Sequence, residues 1–309
     1  MSTESLVALA HRTAAVTLDI MMPFYGRFDH FQQAVNSVIA QSDPNWRLVI
    51  VDDVYPDLEP GRWAQRLNDE RITYIRNETN LRPSRNYRKC VSLMESEFAV
   101  LMGCDDVMLP NYVRRVNELV AEFPNASIIQ PGVSVIDGDG HPSSPLADRV
   151  KALYRFRGQS EAEYSGERLA TSLLRGNWTY FPSLVWRATE LQKYGFRIDL
   201  DVVQDLAMLL EITKGGGSLV LDDEVCFNYR RHSASVSAVT GPDGSKFAQE
   251  RVLFQEAARD CASLGWTGAA REARLHLTSR FNALTDLPAA IRLRNTAGRK
   301  ALLRHIFGR

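Results

Sequence analysis

Two short stretches decide the fold of this chain. Residues 48–53 read Leu48-Val49-Ile50-Val51-Asp52-Asp53, and residues 98–106 read Phe98-Ala99-Val100-Leu101-Met102-Gly103-Cys104-Asp105-Asp106. Each is a continuous apolar run that ends in a pair of carboxylates. A run apolar on both faces suits a parallel strand buried between two helical layers. Working outward, period-two and period-3.6 patterns alternate. Strands are predicted at 16–21, 48–51, 72–75, 98–102 and 127–130. Helices are predicted at 28–41, 61–68, 86–94 and 111–123, the last opened by Pro110. Strand and helix alternating in this way predict an α/β, Rossmann-like, mostly parallel sheet flanked by helices. Ligands of such sheets bind at the carboxyl ends of the strands, where both acidic pairs fall.

The second half is less regular. A strand and tight turn are predicted at 133–140, a loop at 141–160, a helix at 167–174 and a strand at 183–186. A helix follows at 204–213, closed by Gly215-Gly216-Gly217, and then a strand at 225–231. Residues 245–307 read as mostly helical, broken near Gly265 and Pro288. Residues 1–15 carry no basic-then-apolar signal pattern and read as a leader.

The 309 residues include 37 Lys+Arg and 37 Asp+Glu, 45% hydrophobic and 24% charged residues. That balance excludes a uniformly basic nucleic-acid binder and an acidic disordered chain. No apolar run approaches the ~20 residues of a membrane span. Cys90, Cys104, Cys226 and Cys261 have no paired metal spacing and read as free thiols in a reducing, cytoplasmic setting. The zero net charge conceals an asymmetry. Up to Thr240 there are 25 basic and 31 acidic residues; beyond it there are 12 and 6.

Several segments carry candidate chemistry, each with a plainer alternative. Asp105-Asp106 suits a divalent cation bridged to a diphosphate, or an N-cap ahead of the Pro110 helix. Asp52-Asp53 can accept hydrogen bonds from a base or ribose, or cap a turn before Pro56. Asp205, in Gln204-Asp205, can act as a general base or merely favour a helix start. Tyr229-Arg230-Arg231-His232 offers cations and a metal-binding imidazole at a strand end, or simply a solvated edge. The small, polar stretch 233–238 suits a mobile loop. Arg82, Arg85, Asn86 and Arg88 cluster at a helix start, as in phosphate sites, or line a helix surface.

Taken in order, these segments resemble the inverting glycosyltransferases of family 2, which have the GT-A fold. The matching text is Met22-Pro23-Phe24-Tyr25, Val49 to Asp53, Asn77 to Asn80, Arg85-Asn86, Leu101 to Asp106 with Leu109-Pro110, Gly176-Asn177-Trp178, Gln204-Asp205, and Tyr229 to His232 with Ser237. The resemblance covers residues 16–240 as one GT-A domain and leaves 241–309 as a C-terminal helical region. It implies that Pro23, Tyr25, Asp52 and Arg85 line a nucleotide pocket that Asp53 supports. It implies Asp105, Asp106 and His232 around Mn²⁺ or Mg²⁺, and Arg231 closing over the diphosphate of a UDP-sugar. Asp205 would be the base, with Trp178 and Asn177 near the sugar or the acceptor, a glycan or lipid-linked saccharide. Three positions depart from the family pattern: Gly103 replaces an Asp, Gly26 an Asn, and Gln204 an acid.

Two rival classes differ in their signatures. A sugar-phosphate nucleotidyltransferase needs a Gly-rich phosphate loop near the first strand, where this chain has Pro23-Phe24-Tyr25-Gly26-Arg27. An inactive sugar- or nucleotide-binding module has no need of Asp205 and His232. Beyond the resemblance, residues 287–309 hold six basic side chains and no acid. That pattern reads as a helix packed on the domain, as a dimer contact, or as a peripheral contact with an anionic membrane.

Overall fold

The computed structural model describes residues 17–156, 162–232, 240–241 and 243–308. The expected leader and the 233–238 loop lie outside the described residues.

The chain begins with a βα alternation. Strand β1 (Leu18–Phe24) leads to α1 (Phe28–Ile39), β2 (Trp46–Asp52), α2 (Glu59–Arg66), β3 (Ile72–Arg76), α3 (Arg82–Ser92) and β4 (Phe98–Leu101). These strands pair in parallel, in the order β3-β2-β1-β4. Their apolar runs are enclosed on both faces, as continuous hydrophobicity requires; Ile20, Met21, Ile50, Val51 and Val100 are fully buried. Helix α1 faces the sheet with Phe31, Ala34, Val35 and Val38, all buried. The spacing of those residues, three or four apart, makes one apolar stripe.

The rest of the sheet is mixed. The short β5 (Val107–Met108) precedes α4 (Tyr112–Glu122) and β6 (Ile128–Ile136). After α5 (Leu146–Tyr154) come β7 (Ala162–Ser165), α6 (Gly166–Arg175), a 3₁₀ turn at Phe181–Ser183, β8 (Val185–Arg187), α7 (Ala188–Tyr194), α8 (Gln204–Lys214) and β9 (Ser218–Arg230). Strand β8 runs antiparallel between β4 and β6. Strand β9 lies parallel to β6 but antiparallel to β5 and β7. The parallel half therefore follows the sequence expectation, while the other half mixes both directions. Short antiparallel strands such as β7 give little periodic signal, so they leave no pattern to read.

Two local expectations are corrected. Residues 141–160 are not a single loop, because α5 occupies Leu146–Tyr154. Its Leu146, Val150 and Leu153 stay exposed, so it lacks the buried stripe that identifies a helix. Pro288 does not break the C-terminal helices. It lies inside the helix Leu277–Arg292, and the breaks fall instead at residues with left-handed backbone.

The C-terminal helices are α9 (Ser245–Ser263), α10 (Thr267–Leu275), α11 (Leu277–Arg292) and α12 (Thr296–Phe307). Gly265 (φ 75°), His276 (φ 32°) and Arg294 (φ 52°) mark the turns between them. Helices α9 and α10 share the main core through Leu253, Phe254, Ala257, Cys261 and Ala270. Helices α11 and α12 have a small core of their own, where Ala283, Ala290 and Leu302 meet Phe247. None of the described helices is long and apolar enough to cross a membrane.

Candidate active site

The parallel strand order reverses between β1 and β4, which opens a crevice at their carboxyl ends. Tyr25 follows β1 and is 55% exposed, edge-on to Tyr55 at 5.5 Å. An exposed ring here can stack on a planar base. Pro23 is half-buried, in register with Val51.

The carboxylates after β2 serve the walls of the crevice. Asp52 is fully buried. It accepts from Tyr55 N–H (2.7 Å), Tyr74 O–H (2.5 Å) and Arg76 Nη1 (2.6 Å). Burial, with the Asp52 charge beside it, pushes the Tyr74 hydroxyl up to about 12. Asp52 thus makes the turn contact that was the alternative to base recognition. Asp53 accepts from Asn77 Nδ2 (2.8 Å) and from the N–H groups of Leu81 (2.7 Å) and Arg82 (2.9 Å). Val54 (φ 63°) and Arg82 (φ 64°) both adopt left-handed backbone around this carboxylate. Such conformations cost about 1–3 kcal/mol each and persist only where the surroundings fix them. Arg85 is exposed at the start of α3.

The carboxylates after β4 sit differently. Asp106 is buried, and its Oδ1 accepts from Arg230 N–H at 2.8 Å. Burial, with the Asp105 charge next to it, holds its carboxyl well above the ordinary range. Asp105 is about one-third exposed, and its Oδ2 meets His232 Nε2 at 2.6 Å. The fold therefore brings Asp105 and His232 into direct contact beside Asp106, while among the described residues the acidic group whose ligand atoms all lie within 4.8 Å of one another is Asp137, Asp139 and His141. Gly103 explains one departure from the family pattern. A Cβ there would lie 2.4 Å from Asp106 Oδ2 and 2.9 Å from Asp105 Oδ1, so a side chain would displace both carboxylates. The donor set of two carboxylates and an imidazole suits a hard or borderline divalent cation.

Arg230 organises this corner, a role the sequence does not single out. Its buried guanidinium donates to Asp105 O (2.6 Å), Gln33 Oε1 (2.7 Å) and the carbonyls of Asp137 and Gly138. Arg231 points the other way. It forks onto Asp148 at 2.8 and 3.0 Å and covers the Tyr229 ring at 4.9 Å.

The third group centres on Asp205, in the first turn of α8. Asn177 Nδ2 donates to Asp205 Oδ2 at 2.9 Å. Thr179 N–H and Oγ1 both donate to Asn177 Oδ1, which fixes the amide orientation. Burial raises the Asp205 carboxyl above its ordinary range, while the Leu206 N–H, the Lys151 charge and Asn177 oppose that rise. Gln204, beside it, accepts from Ser84 Oγ at 2.9 Å and so ties α8 to α3. Lys151 comes from α5. Its Nζ donates to Thr179 O at 2.6 Å and lies 4.5 Å above the Tyr180 ring. Burial, reinforced by the Arg231 charge, brings its ammonium down to about 8. Lys151 and Asp148 are site residues that the sequence reading missed, because both lie in the stretch read as a loop. Their i,i+3 spacing was the available signal.

Trp178 does not join the crevice. Its ring is 1% exposed, and its Nε1 donates to Ser172 Oγ at 3.0 Å. The expectation that its ring lies near the sugar or the acceptor is not met, because it is buried in the main core.

The comparisons with known proteins agree with this architecture. The family model described as glycosyl transferase family 2 matches residues 19–174. A protein of Escherichia coli K12 named for a glycosyl transferase of colanic acid biosynthesis, WcaA, is 33% identical over 95 residues, covering 30% of this chain and 34% of its own length. The Rickettsia typhi glycosyltransferase RT0329 is 21% identical over 237 residues, covering 74% of this chain and 68% of its own. The WcaA match thus spans only about a third of that relative. Among solved structures, Staphylococcus aureus TarS 1-349 in complex with UDP-GlcNAc superposes with a TM-score of 0.68 at 15% identity, covering 94% of this chain and 81% of that one. The mannosyltransferase PcManGT of Pyrobaculum calidifontis, in complex with GDP-Man and Mn²⁺, superposes with a TM-score of 0.59 at 14% identity, covering 95% and 86%. With a matching model over half its length and the GT-A fold of these neighbours, the chain belongs to glycosyl transferase family 2.

Proposed function

We propose that this protein transfers a glycosyl group, with inversion, from a nucleotide-diphospho-sugar to a hydroxyl of a glycan or a lipid-linked saccharide. The observation that carries the reading is the pairing of two unlike acidic centres in one crevice. Asp105 pairs with His232 beside the buried Asp106, and Asp205 is a separate carboxylate oriented by Asn177. Tyr25 stacks on the base, and Arg85 is free to reach the phosphates. The donor is a UDP-sugar, as in the TarS complex.

Asp105, Asp106 and His232 would hold Mn²⁺ or Mg²⁺, which PcManGT also carries as Mn²⁺. A divalent cation supplies charge neutralisation on a diphosphate leaving group. Arg231, held by Asp148 and turned away from the Asp105 corner, adds positive charge between Asp106 and Lys151. Asp205 accepts the proton of the attacking hydroxyl. Its raised pKa strengthens it as a base, and it serves in its ionised form. Lys151 and Asn177 hold that ionised form. An attack from the Asp205 side, opposite the leaving diphosphate, inverts the anomeric carbon. The protein works in the cytoplasm, where nucleotide-sugars serve polysaccharide biosynthesis.

The test separates base from binding. Asp205→Asn should lower transfer by about 10²–10⁴-fold while leaving donor affinity, read by calorimetry, within a few-fold. Asp105→Ala or Asp106→Ala should instead weaken Mn²⁺-dependent UDP binding. Equal loss of donor affinity in Asp205→Asn contradicts the base role, and unchanged metal-dependent binding in the other two contradicts the cation role. A thermal-shift screen of UDP-, GDP- and dTDP-sugars with and without Mn²⁺ names the donor, since a ligand that binds only the native state raises the midpoint.

A further inference from the structure

Helix α11 has two unlike faces. Ser279, Ala283 and Ala290 turn inward and are buried. On the opposite side Leu277, Phe281, Leu284 and Ile291 are exposed, Phe281 by 71%. Spaced four, three and seven apart, they fall on one stripe of the helix. At about 1.5 Å per residue the stripe runs for roughly 21 Å. Helix α12 adds the exposed Leu303 and Phe307, the latter 73% exposed. A surface with this many large apolar side chains on a single helical hairpin calls for an occupant.

The surrounding charge identifies that occupant. From Ala273 to Gly308 the sole acid is Asp286, which is half-buried and turned toward Gly241 and Lys246. Arg292, Arg294, Arg299, Lys300 and Arg304 are all exposed. Among the described residues, no carboxylate pairs with any of these five. A second copy docked face to face would set like charges against like. A nucleic acid would find mostly aliphatic chains between the cations, which offer bases little to stack on. Large apolar chains framed by arginine and lysine match a bilayer interface carrying anionic headgroups.

We propose that the α11–α12 hairpin seats this protein peripherally on an anionic phospholipid bilayer, with Leu277, Phe281, Leu284 and Phe307 entering the headgroup region. The contact lies on the surface of the bilayer, because no described helix is long and apolar enough to span it. The inner face of the same hairpin adjoins the site. Ser279 Oγ contacts Glu250 of α9, and the charge of Asp205 in turn helps hold the Glu250 carboxyl up, after burial itself. The proposal does not depend on the transferase reading, since its test measures binding to lipid alone.

The experiment is co-sedimentation of the full-length protein with vesicles of phosphatidylcholine, with or without phosphatidylglycerol, at low and physiological salt. Binding to the phosphatidylglycerol vesicles alone, weakened by salt, is expected. The pair Arg299→Gln and Lys300→Gln should lower the partition coefficient about 25-fold, at about fivefold per cation. The pair Phe281→Ser and Phe307→Ser should lower it at least tenfold. All four side chains are exposed, so both variants should keep the wild-type melting temperature and UDP affinity. Absence of vesicle binding, equal binding to both vesicles, or binding that neither pair alters overturns the proposal. A concentration-dependent dimer dissolved by Phe281→Ser and Phe307→Ser, without vesicle binding, overturns it in favour of a second copy.

Discussion

Replacing Asn177 by alanine tests how Asp205 is tuned. The Asn177 amide donates to Asp205 Oδ2 at 2.9 Å, and Thr179 fixes its orientation. A hydrogen bond to a charged group contributes about 1.5–3 kcal/mol. Asp205 is half-buried, so the low end applies. One pKa unit corresponds to about 1.4 kcal/mol, and the loss should therefore raise the Asp205 pKa by about one unit. The sign follows from the base role. Asp205 accepts a proton only when ionised, so activity rises with pH through its pKa. Burial already places that pKa above the ordinary carboxylate range, and losing a donor to the anion raises it further. In Asn177→Ala the acid limb of the kcat/KM–pH profile should move up by about one pH unit. The plateau at higher pH should stay within a few-fold of wild type, because the ionised base is restored there. Donor affinity should not change. An unmoved acid limb with a plateau lowered a hundredfold would refute the reasoning, because Asn177 would then be contacting substrate rather than holding the base.

Two other perturbations probe the crevice walls. Gly103→Ala would put a Cβ 2.4 Å from Asp106 Oδ2 and 2.9 Å from Asp105 Oδ1; metal-dependent UDP affinity should fall at least tenfold in calorimetry with the melting temperature nearly kept, and unchanged affinity would count against the cluster's role. Arg76→Ala would strip the fully buried Asp52 of its cation; the loss should be about 2–3 kcal/mol in denaturant unfolding, and a change below 0.5 kcal/mol, by the same reckoning, would show that Tyr74 and Tyr55 suffice.

The parallel half of the sheet was legible because burial on both faces leaves a continuous apolar run, as at Leu48 to Val51 and Ala99 to Met102. Carboxylates at the ends of those runs mark the carboxyl edge of the parallel strands. Asp205 stood out at the start of a helix with apolar spacing and His232 after a predicted strand, and the family resemblance supplied their expected roles. Helix α5 was not legible, since its apolar residues face outward. Lys151 and Asp148 remained invisible with it. The roles of Arg230 and Arg231 could not be separated either, because adjacent strand residues point to opposite faces and only the sheet says which face is which.

By itself, then, the sequence determined the alternation of strand and helix, the carboxylates at strand ends and the basic excess beyond Thr240. Those features are local or additive, so periodicity and counting reveal them. Tertiary structure alone decided the partners. It joined Asp105 to His232 across 127 positions and Lys151 to Thr179, and it enclosed Asp52 with Tyr74 and Arg76. It also turned Trp178 into the core and left Phe281 and Phe307 outside it. Contacts between distant residues depend on how sheet and helices pack, and no short-range pattern along the chain encodes them.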